Sequence, residues 1–232
     1  MRKEPFGVGS YVHIVQRGVR GLPIVRSDDD RWRFLKLLRY LNDENVPRNW
    51  ERDIGPDNIR AGFSRPAHWP APAPYASLVA FCLLDNHFHL LLRETHDGGI
   101  SKFMQRLSTS MARYTNEKYQ EKGTPFQGSY RSRTVTGDEH LQYLSAYIQV
   151  KNTFDLFPHG TRRAVSLFDE AFAWAEGYPF SSLIDYMGHR HAQFLDHALV
   201  DEIFENPGRF KRYARDVIDD RHERDIFGDM LT

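Results

Sequence analysis

The segment Asp85-Asn86-His87-Phe88-His89-Leu90-Leu91-Leu92 holds the residues best suited to chemistry in this chain. Side chains alternate across a strand, so two histidines one residue apart project from the same face. Neutral imidazoles at that spacing can offer lone pairs to one divalent ion, while Phe88 and the leucines bury on the other side or beyond the site. An isolated His-x-His also occurs as two partly solvated histidines beside an apolar strand, and other residues must separate these readings.

A second concentration follows. Residues 101–135 hold Lys102, Arg106, Arg113, Lys118, Lys122, Arg131 and Arg133 against Glu117 and Glu121, with Phe103, Tyr114, Tyr119, Phe126 and Tyr130 between them. Cations interleaved with aromatics suit a phosphate backbone with unstacked bases. A solvated helix face with core aromatics has the same composition. Net charge is zero, so this local excess is the only electrostatic pointer to nucleic acid.

The elements that must position these groups follow from periodicity. A first strand is expected over Val8–Gln16, closed by Arg17-Gly18. Ser27 with Asp30 forms a helix-capping pattern, and Trp32, Leu35, Leu38 and Leu41 recur on one face through about Asn42. Residues 43–75, with Pro47, Pro56, Pro66, Pro70, Pro72 and Pro74, read as a long surface insertion. A strand over Tyr75–Leu84, a tight Asp85-Asn86 turn and a strand from His87 to about Arg93 form a hairpin. Gly98-Gly99 opens a helix over Ile100–Lys122, ended by Gly123. A fourth strand over Gly128–Thr136 precedes a Thr136/Glu139 capping box and a helix burying Leu141, Leu144 and Ile148 up to about Asn152.

That order is β, α, β, β, α, β, then a helix: an α+β, ferredoxin-like split βαβ core with a central antiparallel sheet and expected strand order 4-1-3-2. It sets the His13 strand beside the His87 strand, which makes His13 a candidate neighbour of the site or a packed strand histidine. Residues 1–155 read as one domain and 156–232 as a C-terminal helical extension. The extension's helices are expected around Ser166–Glu176, Phe194–Phe204 and Pro207 to about Arg221, the last capped by Asn206. His189, His191, His197 and His222 are too irregularly spaced to argue a second metal site. The lone Cys82 excludes an intramolecular disulfide and is expected to be buried, so a reducing cytoplasm is the expected compartment. No long apolar run or signal pattern at Met1-Arg2-Lys3-Glu4-Pro5 suggests a membrane role.

Taken in order, the His87-Phe88-His89 segment, Phe126-Gln127-Gly128-Ser129-Tyr130 and Tyr147-Ile148 resemble the single-tyrosine HUH transposases. The likeness is particularly to the REP-associated tyrosine transposases and their IS200-like insertion-sequence relatives. The resemblance spans most of residues 8–152. Gly99-Ile100-Ser101-Lys102-Phe103-Met104-Gln105 and Tyr178-Pro179-Phe180-Ser181-Ser182 resemble segments of larger members. It implies nicking and rejoining of single-stranded DNA with hairpin ends through a 5′-phosphotyrosine. A divalent metal, Mg²⁺ or Mn²⁺, would be held by His87, His89 and a third polar ligand. Matching the helix after the fourth strand makes Tyr147 the nucleophile, with Tyr143, one turn earlier, as rival.

The chain departs from that pattern at the third ligand. Relatives place Asn or Gln four residues after the tyrosine, but here that residue is Lys151, whose ammonium cannot coordinate a metal. Asn152 is the replacement if the helix ends or bulges there, Gln149 a weaker one, and Lys151 is a candidate phosphate contact. Arg17, Lys102, Arg106, Arg113, Arg131 and Arg133 complete the expected DNA-binding set, and Arg20 shares the turn of Arg17. The departure at Lys151 leaves an alternative, a domesticated hairpin-binding protein without cleavage, and a weaker one, a phosphodiesterase that uses water. The resemblance allows a monomer or a homodimer.

Overall fold

A computed structural model describes residues 6–54 and 63–219. Met1–Pro5, Pro56, Arg221 and His222, all named above, lie outside the described residues. The chain runs β1 (Tyr11–Arg17), a 3₁₀ turn, α1 (Asp28–Tyr40), α2 (Trp50–Asp53), β2 (Ala76–Leu83), β3 (His87–Glu94), α3 (Gly99–Tyr119) and β4 (Arg131–Thr134). There follow α4 (Asp138–Ala146), a π-helical turn (Tyr147–Lys151), α5 (Asn152–Phe154), α6 (Thr161–Ser166), α7 (Phe168–Glu176), α8 (Leu183–Tyr186), α9 (Ala198–Phe204) and α10 (Pro207–Asp219). The four strands form one antiparallel sheet in the order β2-β3-β1-β4, as the split βαβ pattern predicts.

Register divides the sheet into two working faces. Val15 pairs with His89 and Arg131, Arg17 with His87, and His13 with Leu91 and Arg133, so these side chains share one face. Val12, Ile14, Phe88, Leu90 and Leu92 point the other way, into a core closed by α1 and α3. Gln16, on that same face, accepts a hydrogen bond from Ser108 of α3 at 2.8 Å. The histidine face is covered by the helix running from α4 through the π turn to α5, and by the C-terminal helices, around Leu91, Leu144, Ile148, Phe172 and Phe210.

The local signals act much as their chemistry requires. Ser27 and Asp30 form a reciprocal capping box at the start of α1. Burial alone would raise the Asp30 carboxyl, but hydrogen bonds from Lys118 and Tyr119 hold it well below the usual carboxylate range, tying α1 to the end of α3. Before α3 the two glycines have separate jobs. Gly98 adopts a left-handed φ of 76°, and a Cβ on Gly99 would lie 2.0 Å from the Tyr75 carbonyl oxygen. Asn206 caps α10 by accepting from the Arg209 N–H.

Several boundaries differ from expectation. β1 begins at Tyr11 because Val8 and Gly9 form a turn, and the paired part of β4 is only Arg131–Thr134. α3 ends at Gln120, itself left-handed with φ 54°, before Gly123 is reached. The Thr136/Glu139 box does not form; Gly137 precedes α4, and the Thr136 N–H donates to His140 Nδ1. The insertion is not only surface: Trp50, Phe63 and Trp69 are buried, with Trp50 stacked on Tyr40 at 5.1 Å. Those large aromatics bury enough apolar area to fold a Pro-rich stretch onto α1. The extension gains α6 ahead of α7, and α9 starts at Ala198 because Phe194 and Leu195 are used as packing residues against Phe63 and β2.

The C-terminal segment docks on the core. Ser182 hydrogen-bonds both the N–H and the carbonyl of Phe81, Leu83 N–H donates to the Phe180 carbonyl, and Asp196 N–H donates to that of Leu78. This occupies the free edge of β2, which would otherwise present unpaired backbone groups.

Candidate active site

β3 carries His87 and His89, β1 carries His13, and the π turn begins with Tyr147. His87 and His89 ring centroids are 5.0 Å apart, and the Tyr147 ring meets those of His89 at 5.7 Å and His13 at 6.4 Å. Tyr143 stacks against Tyr147 at 6.0 Å. The Tyr147 ring thus lies directly against two of the histidines.

Each histidine is oriented by a neighbour. Asn86 Oδ1 lies 2.6 Å from His87 Nδ1; the amide oxygen can only accept, so Nδ1 carries the proton and Nε2 keeps its lone pair. His89 Nδ1 lies 2.9 Å from His13 Nε2, and His89 Nε2, fully buried, has no hydrogen-bond partner among the described residues. All three rings are held neutral. Burial, with repulsion from His140 and Arg133, lowers His13 to about 3. Burial and the Arg17 charge lower His87 to about 4. Burial, then its two histidine neighbours, puts His89 well below its ordinary value.

Next to Lys151 the helix buries the amide of Asn152. In the π turn the Asn152 N–H bonds the Tyr147 carbonyl, five residues back, so Asn152 stands one turn on from the tyrosine. Asn152 is 1% exposed and its Nδ2 has no hydrogen-bond partner among the described residues. Lys151 instead turns outward to Asp155 at 3.2 Å, with its ammonium 5.5 Å from the centre of the Tyr147 ring. Gln149 spends its side-chain oxygen on the Ser182 hydroxyl at 3.2 Å.

This donor set fits a divalent ion. Two neutral imidazoles, His87 with a free Nε2 lone pair and His89 with an unpartnered Nε2 among the described residues, and a buried amide are nitrogen and oxygen ligands of the kind Mn²⁺ and Mg²⁺ accept. Among the described residues no group of three or more His, Cys, Asp and Glu side chains is set to hold a metal. Around it Arg17, Arg131 and Arg133 share the histidine face by register. Burial pushes the Tyr147 phenol up, Tyr143 and Asp155 add to this, and Arg17 opposes it.

The other expected DNA contacts lie elsewhere. Lys102, Arg106 and Arg113 belong to α3, on the opposite side of the sheet. Lys102 pairs with Glu44 at 3.1 Å, and Arg106 donates to the Tyr75 hydroxyl at 3.0 Å. Two participants were not legible as such in the sequence. Asp155 neutralises Lys151, and Asn86 sets the His87 tautomer; an Asn directly before a His-x-His was the available signal for the second.

None of the curated proteins matches the chain. A solved structure of a REP-associated tyrosine transposase bound to a REP hairpin is similar at 12% identity and a TM-score of 0.42, over 80% of this chain and 82% of that one. The family model described as "Transposase IS200 like" matches residues 74–151, from the foot of β2 to Lys151. The matched stretch is the part of the chain that carries His87, His89 and Tyr147.

Proposed function

We propose that this protein nicks and rejoins single-stranded DNA next to hairpin ends, with Tyr147 as nucleophile and His87, His89 and Asn152 holding Mg²⁺ or Mn²⁺. The observation that carries this reading is the Tyr147 ring packed 5.7 Å from a histidine whose Nε2 is buried and, among the described residues, unpartnered. The ion, when bound, would act as a Lewis acid on the scissile phosphate. Tyr147 Oη attacks phosphorus, the bond to the 3′-oxygen breaks, and the phenolic proton is balanced by the proton gained on the released 3′-hydroxyl. The product is a 5′-phosphotyrosine, which a 3′-hydroxyl can attack in reverse, so joining needs no external energy source. Arg17, Arg131 and Arg133 bind flanking phosphates, and the Arg17 charge favours the phenolate.

The test is incubation of labelled hairpin oligonucleotides bearing single-stranded flanks with the protein, with Mg²⁺, Mn²⁺ or chelator, on a denaturing gel. A protein-linked band that requires metal and disappears in Tyr147→Phe is expected. Binding without any adduct across a broad hairpin library would instead identify a non-cleaving binder, and hydrolysis that survives Tyr147→Phe would identify a water-using phosphodiesterase.

A further inference from the structure

On the side of the sheet away from the histidines, the folded insertion and α3 enclose a groove of about 880 Å³. Arg48 and Arg52 line it from the insertion and Arg113 from α3. All three are exposed, and no acidic side chain pairs with them among the described residues. The acids in the groove are Glu51, already paired with Arg33 at 2.6 Å, and Glu117. Unpaired guanidinium groups converging on one groove form an anion-binding surface with more charge than a single phosphate requires.

The aromatic residues of the groove decide which nucleic acid suits it. Single strands are held by bases stacked on open ring faces. Here the Tyr114 ring is covered by the Arg33 guanidinium at 4.4 Å and approached by Lys118 at 5.4 Å, and Trp50 is 7% exposed against Tyr40. Free cations are therefore present without free stacking platforms, which is the character of a surface that reads backbone phosphates and not bases.

We infer that this groove binds the sugar-phosphate backbone of a duplex stem through Arg48, Arg52 and Arg113, on the face of the sheet opposite the tyrosine and histidines. The inference rests on the nicking and joining reading above, and extends it with a surface built partly by the insertion. A stem held there leaves the histidine face to an adjoining single strand.

The test uses the full chain and two fluorescent probes of equal length, a hairpin and an unstructured oligonucleotide, titrated across a salt series. For the hairpin, the Arg48→Ala/Arg52→Ala/Arg113→Ala variant is expected to bind at least about tenfold more weakly. Its log–log salt slope should be shallower by about 2 to 3, since each lost phosphate contact removes about 0.9. Replacing the same three residues by lysine keeps the charge and should keep the slope, which separates loss of contact from loss of fold. An unchanged hairpin slope in the alanine variant overturns the inference, and so does an equal loss for both probes, which would make the occupant a single strand. The adduct assay on the wild type distinguishes the two proposals. A shallower slope without an adduct leaves the groove standing and removes nicking, whereas an adduct with an unchanged slope does the reverse.

Discussion

His13 and Asn152 matter at the scale of single residues because each bears on the proposed metal site, His13 through its contact with His89 and Asn152 as the buried amide beside Lys151. If His89 binds a metal through Nε2, its remaining proton must sit on Nδ1, and the acceptor for it is His13 Nε2 at 2.9 Å. His13→Phe keeps a ring of similar size on the strand and removes that acceptor. Manganese affinity measured by calorimetry on DNA-free protein should fall by about tenfold, the usual cost of losing an orienting partner. Unchanged affinity would mean that the contact between the two histidines is packing alone.

At the scale of the element, the π turn is what would bring the proposed metal site into line with the pattern this chain departs from. One residue too many separates Tyr147 from an amide, and the helix absorbs it by closing a five-residue turn from the Tyr147 carbonyl to Asn152. Such bulges are inserted residues accommodated without breaking the helix. Deleting Lys151 would set the asparagine four residues after Tyr147 in the chain. A crystal structure of that deletion should show a regular α-helix through this stretch, with manganese affinity retained within about threefold, a change worth under 1 kcal/mol. A π turn that persists, or metal binding that vanishes, would mean that the bulge is imposed by packing around Val150 and Ile148 and not by the extra residue.

The whole molecule shows its design in what it buries. Three neutral imidazoles lie between the sheet and the covering helices, two of them almost fully buried, with His13 at about 3 and His87 at about 4. An unfolded chain takes up these protons near pH 6.5, so between about 6.5 and 4 it binds more protons than the folded chain. Stability of metal-free protein should therefore rise with pH through that window and fall on acidification. The slope should approach about 1.4 kcal/mol per pH unit for each buried imidazole. Urea unfolding at a series of pH values measures this, and a flat profile would mean that the rings are charged in the fold. The C-terminal helices contribute by closing the histidine face and the β2 edge, so the burial that keeps the rings neutral is a property of the full chain.

Much of this was legible in sequence, for physical reasons specific to each element. Alternation on β1 and β3 determines that His13, His87 and His89 can share a face, because side-chain direction on a strand has a period of two. The order of strands and helices restricts the sheet to one topology, and Ser27-x-x-Asp30 marks the start of α1 because capping is local. What involves distant partners was not legible. The insertion folds onto α1 because Trp50 and Trp69 find Tyr40, and α3 stops at Gln120 through a backbone conformation that glycine would ordinarily supply. The deciding case is Asn152. The sequence by itself determined that Lys151 stands where an amide was expected and that Asn152 follows it. That the helix opens by one residue, burying Asn152 and sending Lys151 out to Asp155, was settled by the folded chain, because helix register responds to packing on both sides at once.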